Sequence, residues 1–239
     1  MNSLDKDQAD KDQEKQPAWV KRPGQRVMNS AQIYEFFRTL CALNPNPKGE
    51  LNYTNPYTLL VAVALSAQAT DVSVNKATKA LFERVSTPQD MLDLGEEALI
   101  EYIRSIGLYK SKAKNVMAAA KMLAENFGST VPQNREELQK LPGVGRKTAN
   151  VVLQIAFGQP RIAVDTHLYR LSNRTGLAPG KTELNVELAL EKKVPEPFRL
   201  HAHHWLILHG RYICKARKPD CAHCPVTHVC LAKEKSTFC

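Results

Sequence analysis

The sequence predicts an all-α protein, and two observations carry that reading. In ten successive segments apolar residues recur three and four positions apart, the spacing of one helix face, and no convincing run alternates apolar and polar residues as a half-buried strand would. Glycine and proline punctuate the gaps. The first helix is read at 30–43. Pro56 opens the second, 57–69, which contains the longest strongly apolar run, Leu59 to Leu65. At seven residues that run is far short of the ~20 that cross a bilayer, and it belongs in a core helix. A third helix is read at 72–85. Gly95 heads a fourth at 95–106, and Gly107 separates it from a fifth at 111–127. Gly128 and Pro132 precede a short pattern at 134–140. Gly158 divides helices at 146–157 and 166–175; Pro179 and Gly180 precede 182–193, and Pro195 precedes the last, 198–213.

The chain has 239 residues, enough for one large or two small domains with a substantial core and no need of disulfide staples. With 43% apolar and 24% charged residues, and 11 Gly and 14 Pro scattered without a period, it is neither collagen-like nor wholly disordered. Lysine and arginine outnumber the acids 33 to 24, a net charge of +9. Residues 1–16 hold five acids and three lysines, or −2, so the remainder carries 9 − (−2) = +11. Such an excess draws polyanions, nucleic acid among them. Residues 1–27, polar at first and then broken by Pro17, Pro23 and Gly24, read as a flexible extension. That stretch has no apolar signal segment, so a cytoplasmic protein with no membrane partner is expected, with its six cysteines reduced and available to metals.

Three motifs carry chemistry. Leu141-Pro142-Gly143-Val144-Gly145-Arg146-Lys147 lies between two helical patterns. Gly143 and Gly145 allow the backbone close to a phosphate, and the helix that follows presents unpaired amides and a positive dipole end. A plain tight turn is the alternative, and the adjacent Arg146 and Lys147 weigh against it. Lys147 is either a phosphate contact or a nucleophile, since an amine partly desolvated near Arg146 is partly neutral and able to attack carbon. Asp165, in Val164-Asp165-Thr166-His167, is either a helix N-cap or a functional carboxylate. Cys214, Cys221, Cys224 and Cys230 form C-x6-C-x2-C-x5-C. Four thiolates so close suit zinc or a [4Fe–4S] cluster; the single short C-x2-C pair favours iron–sulfur, because zinc sites more often show two. Arg211, Lys215, Arg217 and Lys218 make this loop basic.

Taken together, these residues resemble the endonuclease III branch of the helix-hairpin-helix DNA glycosylases, from about Ala31 to Lys235. The carrying motifs are LLVAVALSAQATDVSVNKAT at 59–78, IGLYKSKAKN at 106–115, LPGVGRKTANVVL at 141–153, IAVDTHLYRLSNRTGLAPGK at 162–181, HHWLILHGRYIC at 203–214 and the cysteine quartet. The resemblance implies two helical lobes with a DNA-binding cleft between them: a six-helix barrel with the hairpin at 49–159, and an iron–sulfur lobe at 28–48 plus 160–239. It implies a monomeric base-excision enzyme that removes oxidised pyrimidines from double-stranded DNA and then cleaves the strand. Lys147 would attack C1′ of the sugar and Asp165 would stabilise the positive charge that develops there. Because a stacked base is out of reach, the nucleotide must be flipped out. Gln68 and Leu108 match the residues that fill the gap it leaves. Gly143, Gly145, Arg146, His167, Arg211 and Lys218 would contact DNA, and the [4Fe–4S] cluster would order the basic loop.

Three rivals remain at this point, one of them an iron–sulfur electron carrier, which leaves the hairpin unexplained. Adenine glycosylases of the same superfamily share the hairpin and cysteine loop, but they lack a lysine at the position of Lys147 and carry a further C-terminal domain, whereas nine residues follow Cys230 here. A non-catalytic DNA-binding module leaves Lys147 and Asp165 unexplained. His201, His203, His204 and His209 are expected to be packing and polar-face residues and not a second metal site, and Trp205 a core residue.

Overall fold

The computed structural model describes residues 26–233 and 235–238, all-helical with no strand among them. Most of the expected N-terminal extension lies outside the described residues. The chain divides into two compact units: one is Asn46–Ala163 with Glu196–His204, and the other joins the described residues before Asn46 to Val164–Pro195 and to those from Trp205 onward.

The unit built on Asn46–Ala163 is organised around α2 (Pro56–Leu65), whose sequence PYTLLVAVAL leaves no polar face. Eight of its ten residues are buried, which is why the helix runs through the interior. Asn55 caps it and Pro56 sits at its first turn, where a missing N–H is harmless. Around it pack α3 (Asp71–Arg84), α6 (Tyr109–Asn126) and α8 (Arg146–Phe157). The short helices α4 (Pro88–Leu94) and α5 (Glu96–Ile103) lie on α6, and the single turn α7 (Arg135–Leu138) lies on α8. Leu59, Leu65, Leu81, Met91, Leu99, Ile103, Leu123, Leu138 and Leu153, all fully buried, form one apolar cluster.

α8 presents a polar stripe to this interior. Asn150 and Gln154, one turn apart, are buried, and the Gln154 amide donates to the Leu200 carbonyl at 2.9 Å and meets His204 Nδ1 at 3.3 Å. His203 and His204 are buried beside it with ring centroids 5.6 Å apart, packed as expected. Among the described residues no set of Cys, His, Asp and Glu is arranged to hold a single metal ion.

The other unit consists of α1 (Ser30–Leu43), α9 (Thr166–Thr175), α10 (Glu183–Lys193), the second half of α11 (Arg199–Tyr212), the cysteine loop and a last turn, α12 (Lys235–Phe238). Phe36, Phe37 and Leu40 are on the buried face of α1. Trp205, 4% exposed, packs on Phe37 and donates its indole N–H to the Asn44 carbonyl at 2.7 Å, so it is core. No helix among the described residues is long and apolar enough to cross a membrane.

Candidate functional site

The hairpin joins α7 to α8, and its two glycines do different things. Gly143 has φ +77°, and a Cβ there would stand 2.9 Å from Asn115 Cβ on α6, so only glycine fits. Gly145, the N-cap of α8, has an ordinary φ of −84° and open space where a Cβ would be. Folding does not demand glycine there; a bare backbone at the helix N-terminus is what it provides. No side chain caps α8 and no acid occupies its first turn. Arg146 and Lys147 open that turn, Arg146 half-buried and Lys147 exposed. The partial burial expected for Lys147 is not found, and any desolvation of its amine must come from what binds over it.

Asp165 is the N-cap of α9, 7% exposed, its Oδ1 accepting the amides of His167 and Leu168 at 2.9 Å each. The capping alternative is therefore realised, and it fixes the carboxylate. Arg170, nearly one turn beyond His167 and 6% exposed, belongs to the site although no motif singles it out. Its guanidinium donates to the Gly210 carbonyl at 2.6 Å and to the Cys214 carbonyl at 3.1 and 3.2 Å, and lies 3.4 Å from His167 Nδ1. Burial pulls its pKa below the ordinary arginine value. Its one sequence signal is position: an arginine five places after Asp165 on the buried side of a helix requires several acceptors. Gly210 lets α11 come close to α9, since a Cβ there would meet His167 Cβ at 3.1 Å.

The four cysteines surround one cavity, with Arg174, His209, Ile213, Val226 and Lys235 among its other walls. Arg174 donates to Cys214 Sγ at 3.6 Å and to the carbonyls of Lys215 and Ala216. The Ala232 amide reaches Cys230 Sγ at 3.5 Å, and His209 Nε2 is 3.6 Å from Cys224 Sγ. Burial lowers the His209 pKa to about 4 and favours the neutral ring; with its proton on Nε2 it would donate to a Cys224 thiolate. Lys235 closes the loop onto the Cys230 carbonyl at 2.8 Å. Four thiols lining one cavity, with N–H groups reaching the sulfurs of Cys214 and Cys230, are a donor set that fits an iron–sulfur cluster.

Gln68, Leu108 and Lys218 share a backbone property. Among the described residues, the non-glycine positions with positive φ are these three and Ser129, at +55°, +61°, +49° and +58°. Gln68 and Lys218 are exposed, and Leu108 is 63% exposed. Left-handed backbone at exposed side chains is strain of the kind found at functional positions. Arg211 is half-buried on the last turn of α11.

Residues 61–196 match the HhH-GPD superfamily of base excision DNA repair proteins. The chain belongs to that family. Residues 214–230 match the iron-sulfur binding domain of endonuclease III, so the cavity is the seat of a [4Fe–4S] cluster, and the four cysteines around it, Cys214, Cys221, Cys224 and Cys230, fit its ligands. The endonuclease III of Rickettsia conorii is 57% identical over 203 residues, 85% of this chain and 97% of the relative. That of Escherichia coli is 54% identical over 208 residues, 87% and 99%. A solved endonuclease III trapped as a covalent intermediate with DNA has TM-score 0.81 and 45% identity, covering 88% of this chain and 99% of its own. The activity is that of a DNA glycosylase and AP lyase of base excision repair.

Proposed function

We propose that the protein acts as a monomer, at the DNA of the cytoplasm, on oxidised pyrimidines in double-stranded DNA, with Lys147 as nucleophile. The observation that carries this is an exposed lysine in the first turn of a helix that follows a glycine hairpin and has no side-chain cap. Amides and Arg146 hold a backbone phosphate without reading sequence, which suits an enzyme that must act anywhere. The neutral Lys147 amine attacks C1′; the C1′–N bond breaks and the base leaves with its electron pair. Loss of a proton from nitrogen leaves an aminal at C1′; the C1′–O4′ bond then breaks as the nitrogen lone pair forms C1′=N, and O4′ takes a proton, so that the opened sugar is held as a protonated imine. That imine acidifies the C2′ hydrogen, and its removal expels the 3′ phosphate by β-elimination.

Asp165 stabilises the positive charge that builds on the sugar as the base departs, and its fixed position means no reorganisation is needed then. Gln68 and Leu108 fill the space of the flipped nucleotide, a polar plug and an apolar wedge. Gly143, Gly145, His167, Arg211 and Lys218 contact the duplex. The cluster supplies structure, tying a basic loop into a shape that meets phosphates. The endonuclease III trapped as a covalent intermediate with DNA supports a covalent mechanism.

The test is borohydride trapping on a duplex with one oxidised pyrimidine. Wild-type protein should give a covalent adduct and Lys147→Ala none. Tight lesion binding with no wild-type adduct would remove the nucleophile role from Lys147.

A further inference from the structure

α6 begins in a way that helix electrostatics disfavours. Its N-cap is Leu108, in the left-handed region, with no side-chain cap, and its first turn contains no acid. Instead lysines stand at 110, 112 and 114. Cations at a helix N-terminus oppose the macrodipole, and Lys110 and Lys114, four apart on one face, repel each other. Both are exposed, and none of the ion pairs among the described residues includes either. The only acid of the helix is Glu125, near its far end, where it faces Lys121 at 3.8 Å.

Lys112 is the second, independent sign. It is 8% exposed, and its Nζ is sealed from solvent with no hydrogen-bond partner. A helical side chain leaves its Cα tilted toward the helix N-terminus, which here is the Leu108 turn. An uncompensated buried charge is expensive, and an anion bound over that turn is the compensation it lacks. Desolvation also lowers the Lys112 pKa, consistent with a missing counter-charge. Lys114 adjoins Asn115, the residue against which Gly143 of the hairpin packs. Lys110, Lys114 and the hairpin belong to the same unit.

We propose that the first two turns of α6 form a second backbone-phosphate site, in which Lys110 and Lys114, above the buried Lys112, hold the duplex beside the Leu108 turn. This rests on the DNA-repair reading above and adds to it contacts independent of the hairpin and the cysteine loop.

The experiment measures equilibrium binding to a duplex carrying an uncleavable abasic analogue, as a function of salt, for the intact holoprotein. Each lost phosphate contact lowers the slope of log K against log salt by about 0.9. The double variant Lys110→Gln/Lys114→Gln should therefore lose about 1.8 from the slope. Between about 50 and 200 mM salt, wild-type affinity should fall about tenfold more than that of the variant. Lys121→Gln, on the same helix, should leave slope and activity unchanged. Lys112→Met should weaken duplex binding without lowering the melting temperature. An unaltered slope in the double variant overturns the proposal, as does an equal loss in Lys121→Gln, which would reduce the effect to net charge. If wild-type protein bound no duplex at all, the repair reading itself would fall, and this site with it.

Discussion

Replacing Arg170 with methionine removes the strut between α9, α11 and the first cysteine. The guanidinium satisfies the Gly210 and Cys214 carbonyls from a buried position. Charge-assisted hydrogen bonds contribute about 1.5–3 kcal/mol each, and stranding a buried carbonyl costs about 1–3 kcal/mol. Against this stands the recovered desolvation of a buried cation, so the net loss is roughly 3 kcal/mol. At about 2–4 °C per kcal/mol for a chain of this size, the melting midpoint should fall by about 6–12 °C. The melt is best followed through the visible absorbance of the cluster, which reports on the loop that Arg170 anchors. Arg170→Lys should restore only part of the loss, because one ammonium cannot reach acceptors on two elements as a planar fork does. A midpoint for Arg170→Met within ~2 °C of wild type would refute the strut.

Two other perturbations follow from the geometry. Gly143→Ala should destabilise by at least ~2 kcal/mol, from the left-handed φ and the crowding of Asn115, whereas Gly145→Ala should lose ~1 kcal/mol or less yet bind DNA more weakly. Urea unfolding and duplex binding of the pair check this, and equal stability losses would contradict it. His204 is buried and neutral, its pKa lowered from 6.5 to about 4 chiefly by burial. The unfolded chain binds the proton first, so this stabilisation is complete above pH 6.5 and is lost as pH falls toward 4, by at most about 3 kcal/mol. Urea titrations from about pH 7.5 to about pH 4.5 should show wild type losing more stability than His204→Gln; parallel curves would exclude the effect.

Much of the fold is legible because local chemistry and tertiary structure agree. α1, α8 and α9 start and stop where the periodicity places them, since each has an open or polar N-cap, and Gly158 and Gly176 end the latter two in left-handed conformation. α2 stops at Leu65 and not at 69, because the chain turns there through Gln68 at positive φ. No glycine marks that turn, so propensity is blind to it. α4 escapes the periodicity: seven residues with one fully buried methionine are too few for a periodic signal. Its signature lies in the cap, Thr87-Pro88-Gln89-Asp90, with reciprocal side-chain bonds at 2.9 and 3.1 Å. Among candidate site residues, the cysteines are legible from spacing and Asp165 from its place before a helix. The roles proposed for Gln68 and Leu108 rest on resemblance alone; the left-handed backbone they share with Ser129 and Lys218 has no signal in the sequence. Arg170 is hidden because its partners are backbone carbonyls about 40 residues away.

Asp165 is bound to the first turn of α9 by the same oxygen that answers two amides. Protonating the carboxylate, or neutralising it against a sugar cation, weakens both acceptor bonds at once. The amide protons of His167 and Leu168 are therefore built-in spectroscopic reporters of its charge. Their chemical shifts and solvent exchange would register each change at the carboxylate, without a label and without altering the residue itself.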